Sequence, residues 1–209
     1  MLNIKEIKLI VANSYDKIAH KYAKLEGNKK WPRMKWCKKL LEQLEPDASV
    51  LDLGCGSGDP ADIEITKKHK VTGVDISETQ INHARKNVPD GHFIHNDAGS
   101  VDFPSSSFDA VISFYSLEHL PRKDHAAVLR RINQWLKPEG LVLISVEAGD
   151  YDDVMNECLG VPMFISCYEP KIMKQMVVEA GFGLIETEIV TQLEGDIEIP
   201  FQWILARKK

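Results

Sequence analysis

A glycine-rich loop directly after a short apolar run constrains the fold of this 209-residue chain more than any other feature. Residues 49–53 read Ser-Val-Leu-Asp-Leu, and Gly54, Gly56 and Gly58 follow at alternate positions. Glycine lets the backbone turn tightly and approach a ligand without a Cβ clash. A helix that begins after such a loop offers free N–H groups to polar or anionic parts of a ligand. The pattern therefore predicts a strand, a ligand-binding turn and a helix.

Four further apolar runs indicate that this unit repeats. They cover residues 70–75, 92–95, 108–114 and 141–146, and helix-like stretches lie between them at about 60–69, 78–87 and 122–136. The segment Lys137-Pro138-Glu139-Gly140 predicts a stop after the last of these helices. Strands that alternate with helices imply a parallel sheet covered on both faces. Right-handed crossovers then bring the carboxyl ends of the strands to one edge, where ligands bind.

The C-terminal segment departs from this alternation. A helix is predicted over 170–180 with Gly181 as its C′ residue, and strands over 183–190 and 200–206 follow with no helix between them. Two successive strands joined by a loop can pair antiparallel. The predicted fold class is α/β: a doubly wound, mostly parallel seven-stranded sheet that ends in an antiparallel strand pair, within a three-layer sandwich.

The first 45 residues read as a helical cover. Tyr15 and Tyr22 lie seven positions apart, on one face of a predicted helix that Asn13 or Ser14 is expected to cap. A second helix is predicted over about 32–44.

Composition excludes several classes of protein. Hydrophobic residues make up 44% of the chain and charged residues 27%, which is a globular mixture. The net charge of −5 argues against nucleic acid as an obligate partner. No apolar run approaches about 18 residues, so no membrane span is expected. The N-terminus lacks the pattern of a signal peptide, and the expected location is cytoplasmic. The four cysteines form no Cys-x-x-Cys pair and the seven histidines no His-Glu-x-x-His pattern, so no metal site is predicted.

The charges are distributed unevenly along the chain. Residues 1–40 hold eleven Lys and Arg against three Asp and Glu, whereas residues 150–200 hold eleven Asp and Glu against two Lys. One interpretation is ordinary solvated helix faces. The other is that the two segments attract each other and hold the helical cover over an acidic insertion at 147–169.

The motifs, taken together and in order, resemble those of the class I S-adenosylmethionine-dependent methyltransferases of the small-molecule type, which have a seven-stranded Rossmann-like sheet. The matching segments span nearly the whole chain: residues 14–22, 50–58, 74–77, 96–98, 108–111 running on to 116–120, 136–140 and 168–182.

The resemblance implies S-adenosyl-L-methionine as the cofactor and assigns residues to its parts. The methionine half would face the loop after the first strand: Asp52, Gly54, Cys55, Gly56 and Gly58. The ribose and adenine would face residues at the ends of the second and third strands: Asp75, Ile76, Asp97 and Ala98. Phe114 and Tyr115 would lie beside the methyl group, where aromatic faces suit a sulfonium cation.

Three further residues have candidate roles. Tyr15 and Tyr22 are expected either to close the cofactor site as a lid or to dock their helix. His119, and with it Tyr115, is a candidate catalytic residue, because an imidazole titrates near neutral pH and can act as a general base. The structural alternatives are a helix cap for His119, ordinary core packing for the aromatic residues, loop bracing for Asp52 and turn capping for Asp97.

Two other functions remain open on these residues. A nicotinamide-dependent oxidoreductase would need a Gly-x-Gly-x-x-Gly register, but Asp59 stands where the third glycine belongs, and no tyrosine has Lys four residues on. A non-catalytic module that binds the cofactor is the second alternative.

The expected organisation is one methyltransferase domain over 1–209. Residues 1–45 form the helical cover, 47–146 the cofactor-binding half, 147–169 an insertion on the substrate side, and 170–209 the C-terminal helix and strand pair. The insertion combines carboxylates with apolar residues, which suits a small organic substrate. Its acids favour an amine-containing one.

Overall fold

The computed structural model describes residues 3–26, 32–194 and 197–209. Within them the helices are α1 (Ile4–Glu26), α2 (Arg33–Leu41), α3 (Ala61–Ile65), α4 (Glu78–Asn87), α5 (His125–Trp135) and α6 (Pro170–Glu179). The strands are β1 (Ser49–Leu53), β2 (Lys70–Asp75), β3 (His92–His95), β4 (Phe108–Phe114), β5 (Leu136–Glu147), β6 (Tyr151–Cys158), β7 (Val161–Cys167), β8 (Phe182–Glu194) and β9 (Ile197–Lys208). Single 3₁₀ turns lie at Leu117–His119 and Arg122–Asp124.

Seven of these strands form one sheet in the order β3-β2-β1-β4-β5-β9-β8. The first five run parallel, and β9 pairs antiparallel with both β5 and β8. The predicted fold class is thus confirmed, including the antiparallel ending. The strand order reverses between β1 and β4, and an open α/β sheet binds ligands outside the carboxyl ends of its strands at such a point.

Two apolar clusters cover the two faces of the sheet. Val50 belongs to one cluster and Leu51 to the other, as the alternation of side chains along a strand requires. Trp36 of α2 stacks on Trp203 of β9 with ring centroids 5.8 Å apart in the first cluster. Trp135 of α5 lies in the second. These layers make the three-layer sandwich.

Helix α1 lies outside these layers. Its apolar residues pack with Met163 and Phe164 of β7 in a third cluster, which also includes Tyr22. Strands β6 and β7 form a separate antiparallel hairpin. This segment was expected to be an insertion, and no strands were predicted in it.

The expected start of α1 near Asn13 or Ser14 is wrong. The helix begins at Ile4, and Asn3 caps it, because Asn3 Oδ1 accepts the N–H groups of Lys5 (3.0 Å) and Glu6 (3.1 Å). The Glu6 carboxylate in turn accepts the Asn3 N–H at 2.8 Å, which completes a capping box. Ser14 lies within the helix, where its hydroxyl donates to the carbonyl of Pro162 at 2.6 Å.

Other boundaries are shifted by strand pairing. Residues 137–140 are not a separate turn but the first part of β5, which pairs with β4 from Leu136 onward through a bulge. Strands β8 and β9 extend several residues beyond their predicted limits, because they pair with each other along nearly their whole length. Gly181 has φ +96°, which confirms it as the C′ residue of α6.

The opposite charges of the two chain segments meet at α2 and β8. Lys39 Nζ lies 2.5 Å from Glu186, and Lys35 Nζ lies 3.5 Å from Glu188. The described ion pairs from residues 1–40 to residues 150–200 reach β8 and not the 147–169 insertion. No described helix combines the length and the apolar character that a membrane crossing requires.

Candidate active site

A cavity opens at the carboxyl ends of β1, β2, β3 and β4, with α1 beside it. It encloses about 870 Å³ of space free of protein atoms, open solvent at its mouth included. The structure brings together in its lining all the residues proposed from the sequence: Tyr15, Tyr22, Asp52, Gly54, Cys55, Gly56, Gly58, Asp75, Ile76, Asp97, Ala98, Phe114, Tyr115 and His119.

The glycine loop adopts a turn whose backbone favours glycine at three positions. Gly54, Gly56 and Gly58 all have positive φ angles, of 89°, 54° and 73°. The Gly54 N–H donates to the Val74 carbonyl at 2.8 Å, which ties the loop after β1 to the end of β2. A Cβ on Gly54 would collide with the side chain of Ser116. The loop therefore places bare backbone against the cavity.

The Asp75 carboxylate organises the floor of the cavity. Its Oδ2 accepts the Gly56 N–H at 2.8 Å, and its Oδ1 accepts the Ser77 N–H at 2.8 Å. An ionised carboxylate offers about four acceptor positions. Asp75 is thus able to brace the glycine loop and to accept hydroxyl groups of a ligand together.

Asp97 caps a turn and also lines the cavity, where it was expected to meet the adenine. Its Oδ1 accepts the Gly99 N–H at 2.9 Å, which is the turn-capping alternative, and the residue also lines the cavity. Its Oδ2 lies 2.5 Å from Nζ of Lys8, an α1 residue that was not predicted to belong to the site. This ion pair connects α1 to the end of β3.

One end of the cavity carries two buried groups of opposite charge. Asp52 is 3% exposed and Arg33 is 7% exposed, and both line the cavity. The Arg33 guanidinium lies over the Tyr115 ring, 4.8 Å from its centroid, and 5.9 Å from the centroid of Phe114. A carboxylate and a guanidinium in one cavity match the ammonium and the carboxylate of an amino-acid moiety.

Tyr15 and His119 form a hydrogen-bonded pair across the cavity. The Tyr15 hydroxyl lies 2.7 Å from His119 Nε2, and His119 Nδ1 lies 2.8 Å from the carbonyl oxygen of Phe164. Because a carbonyl only accepts, this pattern assigns the hydrogen to Nδ1, and Nε2 accepts from Tyr15. Burial lowers the pKa of His119 and raises the pKa of Tyr15. Both groups are thus neutral at pH 7.

Tyr115 directs its hydroxyl away from this pair. The hydroxyl donates to Gln192 Oε1 of β8 at 3.0 Å, and the ring lies edge-on to Phe201 with centroids 4.7 Å apart. Burial raises the pKa of this phenol. The backbone φ of Tyr115 is +53°, a region that non-glycine residues rarely adopt. The ring lines the cavity, while the hydroxyl is held in the sheet.

Several lining residues were not predicted, among them Lys8, Val11, Arg33 and Ser116. Lys8 and Val11 were predictable from the sequence. They lie seven and four positions before Tyr15, on the same helix face, and the Asn3-x-x-Glu6 capping box marks the helix start that would have revealed them. In the described part of the chain, no cluster of three or more His, Cys, Asp or Glu is arranged to hold a metal ion.

Comparisons with known proteins agree with this arrangement. A family profile described as "Methyltransferase domain" matches residues 50–140. The chain is 27% identical over 168 residues to a demethylmenaquinone methyltransferase of Staphylococcus saprophyticus, covering 76% of this chain and 71% of that one. It is 33% identical over 136 residues to a demethylmenaquinone methyltransferase of Thermotoga maritima, covering 62% of this chain but only 58% of that one.

A solved structure shares the fold. The 1,6-didemethyltoxoflavin-N1-methyltransferase of Burkholderia thailandensis, with bound 1,6-didemethyltoxoflavin and S-adenosylhomocysteine, has a TM-score of 0.77 at 18% identity, covering 100% of this chain and 92% of that one.

The sheet order, the antiparallel ending and the cavity at the carboxyl edge define a Rossmann-like α/β protein. Residues 50–140 match a methyltransferase domain, and the chain is similar in sequence and fold to the class I S-adenosylmethionine-dependent methyltransferases, whose cofactor is S-adenosylmethionine.

Proposed function

We propose that this protein moves the methyl group of S-adenosylmethionine to a small organic acceptor by in-line displacement. One observation carries the proposal: the glycine loop, acids at the ends of three neighbouring strands and two aromatic rings at the end of β4 all line a single cavity. Each of these features suits a different part of the cofactor. The features follow one another across the sheet in the same order as the matching parts follow one another along the cofactor molecule.

The residues present fit the cofactor. Asp52 would accept from the ammonium group, and Arg33 would donate to the carboxylate. Asp75 would accept from the ribose hydroxyls. The adenine would lie against Ile76 and Ala98 with its amino group near Asp97. The ion pair between Lys8 and Asp97 would weaken so that the carboxylate can accept from the amino group.

The protein's own contribution is positioning. Bound S-adenosylmethionine supplies the activated methyl group, so the chain mainly provides proximity and alignment. Phe114 and Tyr115 present their rings to the methyl position, where an aromatic face stabilises a positive charge. Helix α1, with Tyr15 and Tyr22, serves as the cover that keeps water out.

His119 remains the candidate general base for an acceptor that must lose a proton. Its neutral ring and its place on the cavity wall support this role, because a base must begin unprotonated. Its Nε2 already accepts from Tyr15, so a proton would reach it through the Tyr15 hydroxyl. Tyr115 serves through its ring, because its hydroxyl is bonded to Gln192.

The names of the relatives supply a second acceptor class. Besides the demethylmenaquinone enzymes, a 2-methyl-6-phytyl-1,4-hydroquinone methyltransferase of Synechocystis is 34% identical over 110 residues, half of this chain and 34% of that one. These names favour a quinol acceptor, whereas the acids of the 147–169 insertion favour an amine. A cytoplasmic location and the division into cover, cofactor half, insertion and C-terminal segment stay predictions.

Titration calorimetry and a methyl-transfer assay test the proposal. We expect S-adenosylmethionine and S-adenosylhomocysteine to bind with 1:1 stoichiometry and NAD not to bind. We further expect radiolabelled methyl from S-adenosylmethionine to appear in at least one member of an acceptor library of amines and quinols. Binding of NAD in preference to both sulfur compounds would overturn the proposal. Binding of S-adenosylmethionine without transfer to any acceptor would favour the non-catalytic alternative.

A further inference from the structure

The amide side chain of Gln80 lies in the cavity wall, and the roles assigned so far do not use it. Gln80 is 1% exposed and lines the cavity. Its Oε1 and Nε2 are both buried, and neither atom has a hydrogen-bond partner among the described residues. A buried polar atom that stays unpaired costs free energy. An unpaired amide in a binding cavity is therefore expected to meet its partner in the ligand.

The local sequence predicts a different role for this amide. Ser77 is the N-cap of α4, and Ser77-x-x-Gln80 is the pattern of a capping box. Half of the box forms, because Ser77 Oγ accepts the Gln80 N–H at 3.1 Å. The other half would need the Gln80 side chain to accept the Ser77 N–H, but that N–H donates to Asp75 Oδ1 at 2.8 Å. The Ser77 hydroxyl donates to Asp16 Oδ1 at 2.6 Å. Both donors of Ser77 are thus engaged elsewhere, and the Gln80 amide takes no part in the cap.

Gln80 lies on α4 between the acid at the end of β2 and the glycine loop. One turn further along the helix, the Ala84 Cα is 3.6 Å from the position that a Cβ on Gly58 would occupy. Residues four apart share a helix face, so Gln80 lies on the face of α4 toward this loop. At the start of the helix, Ser77 is bonded to Asp75. The amide is thus placed in the part of the cavity where Asp75 would meet the ribose.

A ribose hydroxyl has hydrogen-bonding needs that Asp75 alone does not meet. A hydroxyl offers one O–H donor and two acceptor lone pairs, whereas an ionised carboxylate only accepts. When the hydroxyl hydrogen goes to Asp75, the hydroxyl oxygen still lacks a donor. The Nε2 of Gln80 carries two N–H donors. The carboxylate and the amide together therefore match both halves of a hydroxyl group.

We infer that Gln80 is a cofactor-contacting residue, whose Nε2 donates to the oxygen of a ribose hydroxyl that itself donates to Asp75. The inference rests on the proposed function, because it adds a residue to the same cofactor site. The unpaired amide destabilises the protein without ligand, and the bound cofactor removes this penalty. Gln80 thus raises cofactor affinity without supporting the fold. A residue that merely supports the fold would raise stability as well.

Replacing Gln80 by Met separates these two roles, because the variant keeps the length of the side chain and removes its hydrogen-bonding atoms. Calorimetry should show S-adenosylhomocysteine binding weakened roughly 3–10-fold, the effect of one hydrogen bond. The thermal midpoint of the ligand-free protein should not fall, and relief of the unpaired amide should raise it by about 2–4 °C. Gln175→Met, on the exposed face of α6, should change neither quantity. Gln80→Leu repeats the test with a second apolar side chain. Weaker binding together with a lower midpoint in both Gln80 variants overturns the inference, because it shows a structural role.

The 2′-deoxy and 3′-deoxy analogues of S-adenosylhomocysteine locate the contact. In the wild type, loss of the contacted hydroxyl should weaken binding roughly tenfold or more, because its bonds to Asp75 and to Gln80 disappear together. Gln80→Met should bind that one analogue as tightly as the wild type does, since the two changes remove the same hydrogen bond. An equal effect of Gln80→Met on all three ligands overturns the ribose contact.

The same titrations distinguish failure of this inference from failure of the proposed function. If Gln80→Met binds S-adenosylhomocysteine as the wild type does, the inference is overturned and the proposed function stands. If the wild type does not bind S-adenosylhomocysteine, both are overturned.

Discussion

The Tyr15 hydroxyl lies 2.7 Å from His119 Nε2, and the opposite ring nitrogen of His119 lies 2.8 Å from the Phe164 carbonyl. These contacts join α1, the turn after β4 and the β6–β7 hairpin, which are far apart in the sequence. Tyr15 and His119 line the cavity, and Phe164 packs against α1. One chain of hydrogen bonds therefore couples the position of the cover to the position of the candidate base.

Replacing Tyr15 by Phe tests this coupling. The variant leaves the buried His119 Nε2 without its donor, which should lower the free energy of unfolding by about 1 kcal/mol. Helix α1 should also become more sensitive to protease, and bound S-adenosylhomocysteine should dissociate faster. Urea unfolding, limited proteolysis and stopped-flow displacement measure the three effects. Tyr168→Phe, on a half-buried ring away from α1, is the matched control. Equal dissociation rates for the two variants would contradict the coupling between α1 and His119 through the Tyr15 hydroxyl.

Asp75 should contribute more to cofactor affinity than any other acid of the site. Asp75→Ala removes the proposed acceptor for the ribose hydroxyls and also the brace on Gly56 and Ser77. Loss of hydrogen bonds to a charged acceptor should weaken S-adenosylhomocysteine binding by ~1.5–3 kcal/mol, measured by calorimetry. The exposed Asp90→Ala variant should bind like the wild type. An unchanged affinity in Asp75→Ala would remove this carboxylate from the site.

Gly54 of the glycine loop can be compared with Gly160, which lies between β6 and β7 and has nearly the same φ angle. Gly54 and Gly160 have φ angles of +89° and +87°, but only Gly54 faces a neighbour, Ser116, while nothing lies within 4 Å of a Cβ on Gly160. Alanine at either position should cost about 1–2 kcal/mol of stability for the left-handed backbone. Gly54→Ala should cost clearly more and abolish cofactor binding, because its Cβ meets the Ser116 side chain.

The double variant Gly54→Ala with Ser116→Gly checks the cause. It should recover the part of the stability that the collision removed, leaving a loss like that of Gly160→Ala. Urea unfolding of the four proteins gives the comparison. If the double variant is no more stable than Gly54→Ala, the loss comes from the backbone and not from the contact with Ser116.

The limits of four of the five parallel strands were predictable from the sequence to the residue. The predicted bounds of the first four strands coincide with β1, β2, β3 and β4. Each is a short apolar run that ends at glycine, acid or turn residues, so local sequence alone determines its limits. The lining residues at the ends of these strands were also predictable, because the carboxyl ends of parallel strands meet at one edge.

The features that depend on contacts between distant segments could not be predicted. Strands β6 and β7 exist through pairing with each other and packing on α1. Arg33 belongs to the site because α2 places it over Tyr115, and no local pattern distinguishes it from the neighbouring lysines. Glu118 reads as an ordinary polar residue in the sequence, and only the folded chain buries it.

Burial of Glu118 should make the protein less stable as the pH rises. Its pKa is raised in the folded state, so the native protein holds the proton at pH values where the unfolded chain has lost it. The stabilising effect is fully present below the unfolded pKa of about 4.3 and is lost as the pH rises toward the folded pKa. Glu118→Gln removes this dependence. Its unfolding free energy relative to the wild type should therefore increase between pH 4.5 and pH 8 in urea titrations, while Glu157→Gln should show a constant difference.

His119 should give a pH dependence of the opposite sign. Burial lowers its pKa in the folded state, so the unfolded chain binds more protons once the pH falls below about 6.5. The stability that the neutral ring contributes is present above that pH and is lost as the pH falls toward the folded pKa. His119→Gln removes a titrating group while leaving His69 and His125, whose pKa values burial also lowers, to act equally in both proteins. The stability advantage of the wild type over this variant, measured by urea unfolding, should therefore shrink between pH 7.5 and pH 5. For the exposed control His92→Gln, the difference in unfolding free energy from the wild type should change less over this pH range. If the difference for His119→Gln stays constant, the ring of His119 is as solvated in the folded protein as in the unfolded chain.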